Sequence, residues 1–179
     1  QAAGIPIVFL TAQYGLVHLA RLRKGERVLI HAASGGVGLA AIQIARRVGA
    51  EIFATAGSDA KREFLRSLGI QHIMDSRSVA FADDVMETTG GEGVDVVLNS
   101  LAGEAIPKGL SILRPFGRFI EIGKRDVYAN ARLGMRPLRN NIALHVLDLD
   151  QAIRTRPELV AELFCEVAAG FADGSFSAL

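Results

Sequence analysis

The sequence predicts an α/β domain built on a doubly wound parallel sheet in three layers, α/β/α, and three observations carry that reading. Strand-like and helix-like segments alternate along the chain with short glycine-containing connections, the pattern of parallel strands joined by crossover helices. VLIHAASGGVG, residues 28–38, places a glycine-rich turn between an apolar strand and a helix. VDVVLN, residues 94–99, is a continuous apolar run without in–out alternation, as expected of a central strand covered on both faces.

The elements follow in order. A first helix spans about 6–19, opened by Pro6, and the polar loop RLRKGER leads into a strand at 28–32. The helix after the glycines carries Val37, Ala41, Ile44, Ala45 and Val48 on one face and stops at Gly49. EIFATA, 51–56, is the second strand; Ser58 caps a third helix with Phe64, Leu65 and Leu68 on one side, ended by Gly69. A short strand at 72–74 and a helix in AFADDVMETTG precede the central strand. A helix at 106–113, a turn at Pro115 and Gly117, a fifth strand at 118–123 and a sixth at 142–149 follow. Residues 124–141 form the one long irregular segment, where function is expected, and 157–170 reads as a surface helix.

A chain of 179 residues fits one domain, residues 1–179. With a net charge of +1 and no long block of like charge, nucleic acid is not an expected partner. The single cysteine, Cys165, excludes an internal disulfide and reads as buried packing beside Phe164, Val167 and Ala168. No apolar run reaches transmembrane length and the opening residues lack a signal-peptide pattern, so a cytoplasmic chain away from the membrane is expected. The opening residues read like the inside of a domain, and the expectation is a piece excised from a longer protein.

The glycine turn fits the dinucleotide fingerprint as A-x-G-x-x-G, with Ala33, Gly35 and Gly38 at the three positions and Ser34, Gly36 and Val37 between them. This makes the predicted sheet Rossmann-type. A side chain at the second position would keep a pyrophosphate from the helix N-terminus and its free N–H groups, and Gly35 meets that demand. Gly38 permits close packing of helix on sheet. At the end of the second strand stand Thr55, Ala56, Gly57 and Ser58, where an NAD site usually has an acid against the ribose hydroxyls. Ser58 can donate to a 2′-phosphate, Lys61 and Arg77 can supply charge, and NADPH is the expected cofactor. Asp59 is an acid displaced by a few residues, explained equally by its place in the first turn of a helix. The four histidines are scattered, with no i,i+4 pair, so no metal site is expected; His31 reads as a hydrogen-bonded core residue.

AGIPIVFLTAQYGL, RLRKGERVLIHAASGGVGLAAIQIAR, GVDVVLNSLAGE and GRFIEIGKRD together resemble the enoyl reductase domain of type I polyketide synthases, in the zinc-free, quinone oxidoreductase-like branch of the medium-chain dehydrogenase/reductase superfamily. The resemblance spans essentially the whole chain. It implies NADPH-dependent reduction of an α,β-unsaturated thioester tethered to an acyl carrier protein, within a larger synthase chain that also holds a substrate-binding part. Hydride goes to the β-carbon and a proton to the α-carbon, and Lys124 occupies the place of a lysine that donates the proton or stabilises the enolate. Its acidic partner is best matched by Asp148, with Asp150, two residues away on the same strand face, as the alternative. Asn99, Ser100 and Leu101 at the end of the central strand are expected at the nicotinamide, and Ile122 and Gly123 before Lys124 are expected to contact the cofactor. Relatives pair as homodimers, and an open edge strand would serve that here. A free-standing quinone oxidoreductase and a non-catalytic nucleotide-binding module are the alternatives.

Overall fold

The computed structural model describes residues 5–179. Six parallel strands form one sheet in the order β3-β2-β1-β4-β5-β6, with β1 at Arg27–Ile30, β2 at Glu51–Ala56, β3 at His72–Asp75, β4 at Val94–Asn99, β5 at Leu113–Glu121 and β6 at Ala143–Val146. The order reverses between β1 and β4, so a crevice opens where the chain leaves those strands in opposite directions. The unalternating VDVVLN is indeed β4, third from one edge, with Val94, Val96, Val97 and Leu98 buried.

Two apolar cores sandwich the sheet. On one face α1 (Ile5–Gln13), α2 (Gly36–Val48) and α8 (Pro157–Ala172) pack over Val28, Ile30, Val96 and Ile120. On the other, α4 (Phe81–Thr88) and α5 (Ala105–Ser111) cover Leu29, Phe53, Val97 and Phe119. The neighbouring residues 28 and 29 thus face opposite cores, as strand geometry requires. Arg118, where the pairing of β5 with β4 resumes after a register shift, ties the opposite end of the sheet together: it donates to Ala20 O at 2.6 Å and to Glu26 Oε2 at 2.6 Å. Burial alone would raise the Glu26 carboxyl, but the Arg118 hydrogen bond, the Arg23 N–H and two guanidinium charges outweigh it and hold it below the usual range.

Several local expectations are corrected. The first helix does not run straight through: α1 ends at Gln13 and Tyr14–Leu19 forms a π-helical turn. β1 ends at Ile30, two residues earlier than expected, because residues 31–34 already turn and Ala32 adopts φ +48°. The sixth strand ends at Val146. Asp148 accepts from Gln151 N at 3.1 Å and caps a helix, α7 (Leu149–Thr155), that the alternation of apolar residues concealed. The irregular segment holds a single-turn α6 (Arg125–Tyr128) and a 3₁₀ turn at Arg136–Asn140. Phe64 is exposed while Leu65 is buried. Cys165 is exposed: α8 buries Leu163, Val167 and Gly170, a stripe that leaves Phe164 and Cys165 outside. Among the described residues no helix is long and apolar enough to cross a membrane.

Candidate cofactor and catalytic site

The glycine turn is shaped by three separate constraints. Ala33 N donates to Thr55 O at 2.8 Å, Ala32 N to Thr55 Oγ1 at 3.2 Å, and Gly35 N to Ala32 O at 2.9 Å, which together hold Ala32 left-handed, a conformation that costs an L-residue roughly 1 kcal/mol. The tight bend assigned to the first glycine position therefore falls at Ala32, one residue before Ala33. A Cβ on Gly38 would lie 2.5 Å from Ala33 Cα and O, so this glycine is demanded by backbone contact. A Cβ on Gly35 would meet only Ala32 O, at 3.3 Å. Its far side is open: Gly35 and Gly36 are exposed, and no acid stands in the first turn of the 13-residue α2. The first N–H groups of that helix have no intrahelical acceptor, and the residues fit a diphosphate.

The residues at the end of β2 are placed as follows. Ser58 caps α3 (Asp59–Ser67), its Oγ accepting from Lys61 N at 3.4 Å. Arg77 lies against Gly57, its Nε 3.5 Å from where a Cβ would stand there, and Lys61 is exposed. Asp59 is bonded to Arg62, whose guanidinium also reaches Ala56 O at 3.0 Å and Asp75 Oδ1 at 3.4 Å. Sequence reasoning did not single out Arg62, although its place one turn after Asp59 carries the signal. Thr55, expected at the cofactor, is fully buried with its hydroxyl against His31 Nδ1 at 3.0 Å and Ala32 N; it builds the turn from beneath.

The ends of β4 and β5 meet at the same, carboxyl end of the sheet. Asn99 is buried and donates to Leu101 O at 2.7 Å and to Glu121 Oε2 at 2.5 Å, while Leu101 N returns to Asn99 Oδ1 at 3.2 Å. Ser100 is exposed and Leu101 half-buried. Ile122 N donates to Asn99 O at 2.9 Å, carrying the pairing one step past the strands, and Glu121 Oε1 accepts from Gly123 N at 2.6 Å. Lys124 Nζ then reaches Asp148 Oδ1 at 3.3 Å and Asp150 Oδ2 at 3.4 Å. Both acids partner the lysine. They do so from the cap and first turn of α7, where the sequence suggested one strand face. The Asp148 hydrogen bond raises the Lys124 pKa, and the Gln151 N–H, followed by the lysine, lowers that of Asp148; both groups stay charged at neutral pH.

The histidines are less scattered in space than in sequence. His18 Nε2 lies 2.9 Å from Glu166 Oε2, to which Gln13 also donates at 2.7 Å, and Glu162 completes a group whose ligand atoms lie within 4.8 Å of one another. These contacts fasten the end of α1 and the π-helical turn to α8. His31 is buried as expected, but only Nδ1 is bonded; Nε2 meets no partner among the described residues.

A parallel sheet of this order with a glycine turn at the β1–α2 junction defines a dinucleotide-binding domain of the Rossmann class. Residues 36–163 match the family model described as zinc-binding dehydrogenase. The whole chain is 52% identical to part of a phenolphthiocerol/phthiocerol polyketide synthase of Mycobacterium tuberculosis and spans 8% of that protein's length. The solved nucleotide-binding subdomain of the enoylreductase domain of PpsC from Mycobacterium tuberculosis is 52% identical with a TM-score of 0.93, over 98% of each chain. The CurK enoyl reductase is 51% identical with a TM-score of 0.90, over 99% of this chain and 53% of that one. The chain belongs to this zinc-binding dehydrogenase family, as a nucleotide-binding subdomain of the polyketide synthase enoyl reductase kind.

Proposed function

We propose that the chain is the NADPH-binding half of an enoyl reductase that saturates the α,β-double bond of a carrier-protein-bound thioester. The observation that carries this reading is the placement, at the carboxyl end of the one parallel sheet, of the glycine turn, of Ser58, Lys61 and Arg77, and of Lys124 held between two carboxylates. When bound, NADPH supplies the hydride for the β-carbon of the enoyl chain. Gly35 and the α2 N-terminus receive the diphosphate, and Ser58, Lys61 and Arg77 surround the 2′-phosphate. Asn99, Ser100, Leu101, Ile122 and Gly123 line the nicotinamide end. Lys124 neutralises the enolate oxygen or delivers the α-proton, with Asp148 and Asp150 fixing its reach. The substrate-binding half, the carrier protein and the rest of the synthase are the partners, and the open edge of β6, paired only with β5 among the described residues, is the surface for a second copy.

In the intact reductase, Lys124→Ala is expected to lower turnover of a carrier-bound enoyl thioester by about 100-fold, in the range of a lost acid–base group, with NADPH affinity little changed. Unchanged product saturation would remove the catalytic role. For the cofactor, titration of the chain with NADPH and NADH is expected to favour NADPH, and the double replacement of Lys61 and Arg77 by Ala to erase most of that preference. Equal affinities before substitution would defeat the reading of the β2 exit.

A further inference from the structure

Glu121 is the acid that neither the glycine turn nor Lys124 requires, yet it lies at the centre of the site. It ends β5 with 4% of its surface exposed, directly after the buried Phe119 and Ile120. Both of its oxygens accept hydrogen bonds, Oε2 from the Asn99 amide at 2.5 Å and Oε1 from Gly123 N at 2.6 Å. Asn99 spends its remaining bonds on Leu101. One carboxylate therefore links the segment leaving β4 to the segment leaving β5, immediately before Lys124. An outer tie runs parallel to it: Asp126 Oδ2 accepts from Gly103 N at 2.9 Å. Between the two ties lie residues 100–102 and 122–124, the stretches at the nicotinamide end of the crevice.

We propose that Glu121 is a positioning residue for hydride transfer: its ionised carboxylate clasps the β4 and β5 exits and so sets where the nicotinamide-facing backbone and Lys124 stand. The proposal rests on the reading of the chain as the cofactor-binding half of the reductase. The clasp is strongest in the ionised form, because both neighbours are donors: protonation turns one oxygen into a hydroxyl, a weaker acceptor whose own hydrogen must find another partner. Burial opposes that form. It raises the Glu121 pKa to about 7, the Asn99 and Gly123 hydrogen bonds pulling down and the Asp126 charge pushing up. The same carboxyl borders a cavity of about 540 Å³ whose other charged walls are Glu104, Asp126 and Arg132, while β6 contributes only Leu144 and Val146. One cation among these acids leaves Glu121 without an ion pair to fix its charge.

The test is the pH profile of hydride transfer in the intact reductase. For a single group titrating near 7, kcat is expected to fall about tenfold from pH 8 to pH 6, with the KM for NADPH within about twofold. Glu121→Gln keeps the shape but not the two acceptors. It is expected to lower kcat about tenfold at pH 8, a modest displacement of reacting groups, and to leave the profile flat. Should that variant not fold, Asp126→Asn removes the repelling charge while keeping an acceptor for Gly103 N, and the limb is expected to move to lower pH. A variant that retains both rate and limb, or a limb unmoved by Asp126→Asn, overturns the proposal. Wild-type chain that fails to bind NADPH at all overturns instead the functional reading beneath it.

Discussion

Gly38→Ala is expected to destabilise the domain by about 3 kcal/mol or more, the range of a forced overpacking that cannot relax, and to abolish NADPH binding with it. The new methyl would stand 2.5 Å from Ala33 Cα and O and 2.6 Å from Ala33 C. These are backbone atoms of a turn already held by Thr55 and by the left-handed Ala32, so the strain must go into lifting α2 from the sheet. That helix contributes Ala40, Ala41, Ile42, Ile44 and Ala45 to the core. Gly35→Ala separates structure from function at the same turn. Its methyl meets only Ala32 O at 3.3 Å, and φ −84° suits any L-residue. This variant is expected to melt within a few degrees of wild type while NADPH affinity falls by more than about tenfold, because the methyl stands where the diphosphate must approach the helix. Thermal unfolding and cofactor titration on the two variants give the comparison; a Gly35→Ala protein that binds NADPH normally would move the diphosphate away from this turn.

The parts of the fold that sequence made legible are those where local pattern and tertiary environment agree. The unalternating VDVVLN is central because both its faces meet cores, and the A-x-G-x-x-G spacing predicts a strand–turn–helix because Gly38 has no other way to lie on Ala33. Strand order was not legible, since the alternation of elements is the same for several topologies. The end of β6 misled for a definite reason: HVLDLD alternates like a strand, but Asp148 followed three residues later by Gln151 is a helix start, and the cap won over the alternation. Cys165 misled because helical spacing does not say which stripe of α8 is buried; packing against α1 and α7 buries Leu163, Val167 and Gly170 and leaves Cys165 outside. At the site, the family resemblance suggested Lys124 with one acidic partner, Asp148 or else Asp150, and the geometry shares the lysine between both. Glu121 escaped notice because GRFIEIG reads simply as an apolar strand. A single acid on the buried face of such a strand was the available signal.

The opposed pKa shifts of His31 and Glu121 predict how stability responds to acid. Burial lowers the His31 pKa from 6.5 to about 4, so between those values the unfolded chain takes up a proton that the folded one refuses, and stability is lost as pH falls. Burial raises Glu121 from 4.5 to about 7, so between those values the folded chain holds a proton that the unfolded one releases, and stability is lost as pH rises. Each slope is about 1.4 kcal/mol per pH unit where fully developed. From about pH 4.5 to 6.5 the two oppose each other, and wild-type stability is expected to be nearly flat in that window as far as these groups govern it. Below it Glu26 and Glu166, both held under their usual values in the fold, begin to protonate and stability falls. His31→Gln removes one slope: its denaturation free energy is expected to decline as pH rises from 4.5 to 7, and its difference from wild type to change by roughly 3 kcal/mol across the histidine window. Denaturant unfolding of both proteins at half-unit pH steps measures this directly. Curves that stay parallel would show that His31 titrates in the folded state as it does in the unfolded chain, which its enclosure between Thr55 and the Phe81 ring, 4.6 Å away, argues against.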